Sequence, residues 1–393
     1  MIVEPKVREY ICTTAHPTGC EENVREQIAY VKSQGEMEGP KRVLVIGAST
    51  GYGLASRITA AFGCKAATLG IMFERPANGK RTATAGWYNT AAFEKFAAED
   101  GLYAKSINGD AFSVAVKEQA IQMIREDLGQ VDLVVYSLAA PRRTTADGVT
   151  YSSVLKTTGE TFTEKSLDLR SGEIVTKSVE PAAEGELEGT IKVMGGEDWE
   201  DWMKALSKAG VLAEHAKTVA YSYIGPEITY PVYKDGTIGH AKQHLQKTAR
   251  KMNQEIEGLT AVVSVNKALV TQASAAIPIV PLYFAILYKV MKEQGSHEGC
   301  IEQISRLFHT KLLAEPMPLD AEGLDDWELD SKVQDEVMKI WQMVKTENVK
   351  ELSDVDGFWE DFYRMFGFHL SHVDYTKDVE TDVKIPSLED EKK

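Results

Sequence analysis

The sequence has few cysteines, and they form no pattern that would hold a metal ion or a disulfide framework. Four occur in 393 residues, at Cys12, Cys20, Cys64 and Cys300, and no two of them make a CxxC pair. Disulfide-rich secreted domains and structural zinc sites depend on short, regular cysteine spacings. We therefore expect neither a disulfide scaffold nor a metal site, and the scattered thiols favour a cytoplasmic location.

Long apolar runs are also missing. The first ten residues, MIVEPKVREY, lack the basic and apolar regions of a signal peptide. The longest nearly apolar stretch, residues 275–288, contains two prolines and is shorter than the roughly 20 residues that span a membrane. We expect no integral membrane association, and we interpret this stretch either as a buried helix or as the apolar wall of a substrate site.

Positive charge is scarce. The chain has 44 Lys and Arg against 59 Asp and Glu, a net charge of −15. A surface that meets nucleic acid needs a cationic footprint, so no nucleic-acid partner is expected. The hydrophobic fraction of 43% and the charged fraction of 26% are typical of a globular protein and exclude wholesale disorder.

Short β-branched runs alternate with helical patterns over much of the chain. Predicted strands cover residues 42–46, 66–73, 102–107, 131–136, 218–223 and 261–265. Strands and helices in alternation indicate βαβ units and an α/β fold with a doubly wound parallel sheet. Residues 141–197 are predicted to be an insertion with strand-like pieces such as 190–193. The last hundred residues are predicted to be helical, with 291–308 and 331–344 showing helical spacing and 386–393 forming a frayed tail.

A glycine-rich loop follows the first of these strands and opens a helix. Its sequence, Gly47-Ala48-Ser49-Thr50-Gly51-Tyr52-Gly53, has the G-x3-G-x-G spacing of short-chain dehydrogenase/reductases. Glycine lets the backbone turn tightly and approach a pyrophosphate, while the helix N-terminus supplies partial positive charge. The context predicts a Rossmann-type dinucleotide site.

Residues after the next strands are candidates for the rest of the cofactor site. Glu74 ends the second strand, where such folds place an acid on the adenosine ribose 2′-hydroxyl. Because a carboxylate there repels the 2′-phosphate of NADPH, we predict a preference for NADH, which the adjacent Arg75 would partly offset. Asp110 and Ala111 could flank the adenine, and residues 137–141 could line the nicotinamide ribose.

Reduction of a carbonyl or enone needs a positioned hydroxyl with a cation nearby. The Tyr-x3-Lys pairs Tyr230/Lys234 and Tyr288/Lys292 are poorly placed, because the first reads as a loop and the second comes too late in the chain. Of the Tyr-x8-Lys pairs, only Tyr233/Lys242 lies between the fifth and sixth strands. Position therefore selects Tyr233 and Lys242.

Five segments together resemble the trans-2-enoyl-CoA reductase and V-type enoyl-acyl-carrier-protein reductase family. They are GASTGYGLASRITAAFG, YSLAAPRR, KVMGGEDWEDW, SYIGPEITYPVYKDGTIGHAK and VSVNKALVTQASAAIP. The resemblance runs through nearly the whole chain, and it implies NADH-dependent reduction of the 2,3 double bond of an enoyl thioester. It also implies an enlarged short-chain-reductase fold that is commonly monomeric.

The resemblance also assigns roles to residues. Tyr233 is then the proton donor, Lys242 the cofactor-binding lysine, and Tyr223 a contact to the thioester end of the substrate. The implied cofactor positions are Gly47, Ala48, Ser49, Thr50, Gly51, Tyr52, Phe73, Glu74, Asp110, Ala111, Leu138, Ala139, Lys242, Val270, Thr271 and Gln272.

We interpret residues 1–393 as one enlarged domain with insertions, a substrate lid and extra C-terminal helices. Its parts are a dinucleotide-binding half (41–140), the insertion (141–197), a catalytic and lid region (217–295) and a helical part (296–393). Enoyl-CoA is the expected substrate, with enoyl-acyl-carrier protein as the alternative. A ketone or 3-oxoacyl reductase and a non-catalytic NADH sensor remain as less favoured readings. Arg142 and Arg143 are either phosphate contacts or a solvated pair.

Overall fold

The computed structural model describes residues 1–8, 11–271, 274, 277, 279–313 and 323–390. Its centre is a six-stranded, fully parallel sheet in the order β12-β11-β6-β3-β4-β5. These strands are β3 Arg42–Ile46, β4 Ala67–Met72, β5 Ala104–Asn108, β6 Val131–Tyr136, β11 Leu212–Ser222 and β12 Thr260–Val265. The predicted doubly wound parallel sheet is confirmed.

The central strands are apolar on both faces because helices cover both. In β3, Val43 and Val45 point into one buried cluster, and Leu44 and Ile46 point into the other. The chain leaves β3 toward β4 and β5 and then returns to β6 on the opposite side of β3. Such a reversal opens a crevice at the carboxyl ends of the strands, where open α/β sheets bind ligands.

The helices form a layer on each face of the sheet. One layer contains α1 Pro17–Ser33, α2 Gly51–Ile58, α3 Ala85–Glu99 and α9 Cys300–Leu307. The other contains α4 Val114–Met123, α6 Glu197–Lys208 and α7 Thr237–Glu255. α2 and α4 continue into π-helical turns at Thr59–Gly63 and Ile124–Leu128. No helix in the described part of the chain is long and apolar enough to cross a membrane.

The insertion forms two antiparallel hairpins and a helix. The hairpins are β7 Arg142–Thr144 with β8 Thr150–Ser152, and β9 Phe162–Asp168 with β10 Glu173–Val179. The helix, α5 Glu186–Met194, packs on α7. The prediction of a strand at 190–193 is wrong, because this short β-branched run belongs to α5 and buries Thr190 and Val193.

A third buried cluster surrounds α8 Val280–Gln294. Leu282 to Tyr288 are almost fully buried, which confirms the buried-helix reading of the apolar stretch for its described part. α10 Ser331–Met343, α11 Val349–Leu352 and α12 Val355–Arg364 follow, and α10 and α12 pack on α8. The predicted helix at 291–308 is divided, because α8 ends at Gln294, Gly295 after it has φ +71, and α9 begins only at Cys300.

The two ends of the described chain carry structure that the sequence did not predict. A short hairpin, β1 Val7–Arg8 with β2 Ile11–Cys12, precedes α1. At the other end, Pro386–Asp390 form α13, which lies against β5 and α3. The predicted fraying is therefore wrong for residues 386–390.

Candidate active site

The glycine loop between β3 and α2 is packed against the end of β6. Gly47 has φ +85, and a Cβ at this position would lie 2.2 Å from the carbonyl oxygen of Ser137. Thr50 precedes α2 in an extended conformation, and its side chain does not cap the helix. The amides of the first turn are therefore left for another acceptor, and a phosphate group suits them.

Glu74 is held at the carboxyl end of β4 by the glycine loop. The Ser49 hydroxyl donates to Glu74 Oε1 at 2.7 Å, and Asn89 Nδ2 donates to the Ser49 carbonyl at 3.1 Å. A Cβ on Gly86 would lie 2.0 Å from Glu74 Oε1, so the start of α3 closes directly on this carboxylate. Phe73, its neighbour, is 78% exposed. The predicted acid therefore has a fixed position next to the loop.

The predicted adenine and ribose segments follow β5 and β6. The carbonyl of Ala111, next to Asp110, accepts hydrogen bonds from Lys117 Nζ at 3.2 Å and from Trp202 Nε1 at 3.0 Å. Lys117 is itself paired with buried Asp198 at 2.7 Å.

After β6, the Leu138 side chain approaches Gly47, with its Cδ2 3.2 Å from a Cβ built there. Ala139, next in the chain, is exposed. Both segments thus lie at the edge of the sheet where the crevice opens.

Lys242 lies in the second turn of α7. Its Nζ donates to the carbonyl oxygen of Tyr221, near the end of β11, at 2.9 Å. Burial lowers the pKa of Lys242 to about 8, because an ammonium loses hydration there without a carboxylate partner in the described part of the chain.

Tyr233 precedes α7 and packs edge-to-face on Tyr223, with ring centroids 4.7 Å apart. Tyr233 is 6% exposed, and none of the described residues bonds to its hydroxyl. Burial and the charge of Glu328 raise the pKa of Tyr233, and burial first, then Glu328, raises that of Tyr223. The structure therefore brings together both tyrosines that the resemblance selected.

The segment after β12 lies next to the glycine loop and the start of α2. Tyr52 Oη donates to the carbonyl of Lys267 at 3.0 Å, and Val270 N donates to Tyr288 Oη at 3.0 Å. Thr50, Gly51, Val270 and Thr271 line one cavity of about 420 Å³. Gln272, the last predicted cofactor residue, lies outside the described residues.

Glu328 was not among the predicted site residues, and Arg143 is not the solvent-exposed residue that one of its two interpretations required. Glu328 is fully buried and accepts hydrogen bonds from Tyr283 and Tyr223. Sequence reasoning missed it, and its only signal was an acid between two large apolar residues in the acidic run LDDWELD. Arg143 is also buried, and it donates to the Lys192 carbonyl at 2.8 Å. It therefore belongs to the scaffold and is not half of a solvated pair.

Comparison with known proteins identifies three family models along the chain. Residues 2–79 match the NAD(P)H binding domain of trans-2-enoyl-CoA reductase. Residues 81–313 match the trans-2-enoyl-CoA reductase catalytic region. Residues 320–379 match a model described as an enoyl reductase FAD binding domain.

Relatives match over almost their full length. A trans-2-enoyl-CoA reductase [NADH] of Ruminiclostridium cellulolyticum is 54% identical over 99% of this chain and 100% of its own. An enoyl-[acyl-carrier-protein] reductase [NADH] of Coxiella burnetii is 56% identical over 99% of this chain and 98% of its own. The crystal structure of Clostridium acetobutulicum trans-2-enoyl-CoA reductase in complex with NADH has a TM-score of 0.95 and 46% identity, and it covers 98% of this chain and 100% of that one.

The described residues under the third family model do not fit a flavin. From 323 to 379 they form α10, α11, α12 and connecting loops. The inward side chains of these helices pack directly on α8, and they include Val333, Val337, Ile340, Phe358 and Phe362. A flavin dinucleotide needs room for its ring and a phosphate cradle such as a strand-glycine-helix turn. Since this described part has no such turn, we assign no step to a flavin.

Proposed function

The chain belongs to the trans-2-enoyl-CoA reductase family, and on that premise we propose that it uses NADH to reduce the trans-2,3 double bond of enoyl thioesters, with Tyr233 as proton donor. One observation carries the proposal. The rings of Tyr223 and Tyr233 pack together just after β11, Lys242 binds the backbone of Tyr221 at the end of the same strand, and the glycine loop follows β3, two strands away in the sheet. A dinucleotide along the carboxyl edge of the sheet and an enoyl thioester at the tyrosines would share one crevice.

NADH is the cofactor, as the names of both close relatives and the NADH-bound neighbour indicate. The site fits it, because the first turn of α2 is uncapped and no atom lies within 4 Å of a Cβ built on Gly51 at the start of that helix. We propose that Glu74, braced by Ser49, accepts from the ribose hydroxyls and disfavours a 2′-phosphate. When bound, NADH supplies the hydride that adds to the β-carbon of the substrate.

The chain's own residues deal with the charge that this addition creates. The thioester oxygen becomes an enolate oxyanion, which a hydroxyl close to a cation stabilises. Tyr233 offers a hydroxyl that bonds to none of the described residues, and it can donate the proton that completes the reduction. Lys242 holds the nicotinamide ribose and keeps a positive potential near Tyr233. Tyr223, packed on the Tyr233 ring, contacts the thioester end.

We propose a CoA thioester as the main substrate. The overall charge of −15 disfavours approach of an acidic carrier protein, whereas CoA needs only a few cations near the crevice. The alternative, an acyl-carrier-protein substrate, is supported by the Coxiella burnetii relative. Both carriers present the same enoyl thioester to Tyr223 and Tyr233.

We further propose that the chain acts as a cytoplasmic monomer built as one enlarged domain. All four cysteines are free thiols, which suits a reducing compartment. The dinucleotide-binding half (41–140), the insertion (141–197), the catalytic and lid region (217–295) and the helical part (296–393) would then be parts of one unit. Contacts of α8 with β9, α10 and α12, and of α13 with β5, support this reading.

Turnover of crotonyl-CoA with NADH, followed by the loss of NADH absorbance, tests the function. We expect wild-type protein to consume NADH only when the enoyl thioester is present. Tyr233→Phe should keep NADH binding, measured by cofactor fluorescence, and lose roughly 10²–10⁴-fold in kcat.

Tyr230→Phe is the matched control, because Tyr230 lies in the same loop and belongs to the rejected Tyr230/Lys234 pair. It should keep wild-type turnover. Wild-type kcat in Tyr233→Phe would remove Tyr233 from the role of proton donor.

A further inference from the structure

Glu328 is a buried carboxylate that the reaction as described does not use. It lies in the loop before α10, far along the chain from the Tyr233/Lys242 pair, and it is fully buried. A carboxylate is expensive to bury unless hydrogen bonds satisfy its oxygens. The hydrogen-bond donors around Glu328 therefore determine whether its burial is tolerated.

Three donors from three different elements converge on this carboxylate. Its Oε1 accepts from Tyr283 Oη of α8 at 2.7 Å and from Tyr223 Oη, just after β11, at 3.1 Å. Its Oε2 accepts from the backbone amide of Ala268, after β12, at 2.7 Å. Gln334 donates in turn to Tyr283 Oη and to the Glu328 carbonyl. Both carboxylate oxygens are thus used, and the bonds to α8 and Ala268 fix the position of the group.

The bond to Tyr223 links Glu328 to the reacting centre. Tyr223 carries a single hydroxyl proton, and this proton is donated to Glu328, so the direction of the Tyr223 hydroxyl is set. The Tyr223 ring in turn packs edge-to-face on Tyr233. A shift of the Tyr223 ring therefore moves the surface against which Tyr233 is packed.

We propose that Glu328 is a positioning residue that holds Tyr223 in place against Tyr233, so that the Tyr233 hydroxyl meets the thioester in the reactive geometry. The proposal rests on the proposed roles of the two tyrosines. Glu328 itself touches neither substrate nor cofactor and acts through Tyr223. It belongs to the helical part of the chain, which thereby contributes to the reaction without binding a cofactor.

Glu328→Gln tests this because the side chain keeps its shape and loses one acceptor. An amide has one acceptor oxygen and a donor NH2 group, so its nitrogen must face either the Ala268 N–H or the two tyrosine hydroxyls, and either clash of donors displaces the side chain from its position beside Tyr223. Since misplacement of a reacting group by about 1 Å can cost 10²-fold, we expect kcat with crotonyl-CoA to fall roughly 10- to 100-fold. The dissociation constant for NADH should change by less than about threefold.

Glu94→Gln is the matched control. Glu94 is another buried glutamate with three donors, namely Ser106 Oγ, Ser387 Oγ and Ser387 N, and it does not contact the tyrosines. We expect Glu94→Gln to keep wild-type kcat. Equal losses of kcat in the two variants would reveal a general effect of neutralising a buried acid and overturn the proposal.

A double-mutant cycle with Tyr223→Phe separates positioning from a purely structural role. If Glu328 acts through the Tyr223 hydroxyl, Glu328→Gln should add less than about twofold to the loss already caused by Tyr223→Phe. Full multiplication of the two losses, or a kcat of Glu328→Gln within twofold of wild type, would refute the proposal. If Glu328→Gln does not fold, Glu328→Asp takes its place. Aspartate keeps the charge, but its shorter side chain withdraws the oxygens from Tyr223, so the same results are expected and the same results would refute the proposal.

A readout without turnover distinguishes failure of this proposal from failure of the proposed function. Fluorotyrosine placed at position 223 reports its hydrogen bond by fluorine NMR whatever the substrate is. Glu328→Gln should shift this resonance and Glu94→Gln should not. An unshifted resonance overturns the role of Glu328, whereas wild-type turnover in Tyr233→Phe overturns only the assignment of the proton donor.

Discussion

Lys242 is a partly buried lysine, and burial disfavours its positive charge. Its Nζ has one protein partner in the described residues, the Tyr221 carbonyl at 2.9 Å. Burial lowers its pKa from the ordinary 10.5 to about 8. A lysine with this pKa changes its charge close to physiological pH, which an arginine in the same place would not do.

The reaction rate should therefore depend on pH through the loss of the positive charge of Lys242. Below about pH 8 Lys242 is an ammonium, the form that the proposed mechanism requires for holding the ribose and supporting Tyr233. Above this pH the amine becomes neutral, so kcat/KM for NADH should fall about tenfold per pH unit. Initial rates across this range test the expectation.

Lys242→Arg is the control, because a guanidinium stays charged throughout. The decline should disappear in this variant. A decline that persists would point to another buried group, and Lys267, whose pKa burial also lowers to about 8, is the first candidate.

Loss of activity above pH 8 would not reflect unfolding caused by Lys242. Its folded pKa lies below its unfolded value of 10.5, so between about pH 8 and 10.5 the unfolded state binds more protons. Stability from this group then rises with pH in that window. Activity and the contribution of Lys242 to stability should thus change in opposite directions.

At the scale of elements, α13 is attached to the sheet edge through one serine. Ser387 donates from its backbone amide and its hydroxyl to buried Glu94, at 2.9 Å and 2.8 Å. Its Oγ also accepts from the backbone amide of Ser106, in β5, at 3.0 Å. A five-residue helix has little stability of its own, so these bonds are its main attachment.

Ser387→Ala should destabilise the protein without affecting catalysis. It removes the acceptor of the Ser106 amide and one donor to Glu94, and a buried polar group left without a partner costs about 1–3 kcal/mol. Urea unfolding should show this loss, while kcat stays at the wild-type level because α13 does not contact the tyrosines.

Ser33→Ala is the matched change at an exposed serine whose hydroxyl bonds to the Tyr30 carbonyl. It should alter the free energy of unfolding by less than about 0.5 kcal/mol. A similar loss in both variants would mean that Ser387 does not anchor α13.

The sheet could be predicted from the sequence because its strands are buried on both faces. Parallel strands covered by helices are continuous apolar runs, and β3 and β6 were located to the residue. β11 begins at Leu212, six residues before the prediction, because its first part contains Glu214, His215 and Lys217. Such polar residues hide a strand from any pattern based on apolar runs.

The candidate site likewise contains residues that the sequence can reveal and one residue that it cannot. The glycine loop and the Tyr233/Lys242 pair have spacings that a sequence can reveal. Glu328 has none, since its burial arises from contacts with Tyr223, Ala268 and Tyr283, which are 105, 60 and 45 residues away along the chain. Only the folded chain shows that this acid is different from its neighbours in LDDWELD.

At the scale of the whole molecule, the charge of −15 bears on the carrier of the acyl group. An acidic carrier protein is repelled at long range, and salt screens this repulsion, since the Debye length falls from about 30 Å at 0.01 M to about 10 Å at 0.1 M. We expect kcat/KM for an enoyl carrier protein to rise severalfold over this range of ionic strength.

An uncharged thioester, crotonyl-N-acetylcysteamine, is the control, and its kcat/KM should not change with salt. A fall in kcat/KM for the carrier protein as salt is added would instead indicate docking on a local basic surface. That result would favour the acyl-carrier-protein alternative.

The position of Glu328 also orders events while the chain is being made. Ribosomes synthesise proteins from the N-terminus, and the early parts of a chain begin to fold first. Tyr223, Ala268 and Tyr283 all precede the acid that accepts their hydrogen bonds. A nascent chain can therefore build the sheet as far as β12 while the tyrosines still lack their common acceptor. If Glu328 positions Tyr223 as proposed, the reductase becomes competent only after Glu328 has left the ribosome, and an unfinished chain has its cofactor loop before its tyrosines are held in place.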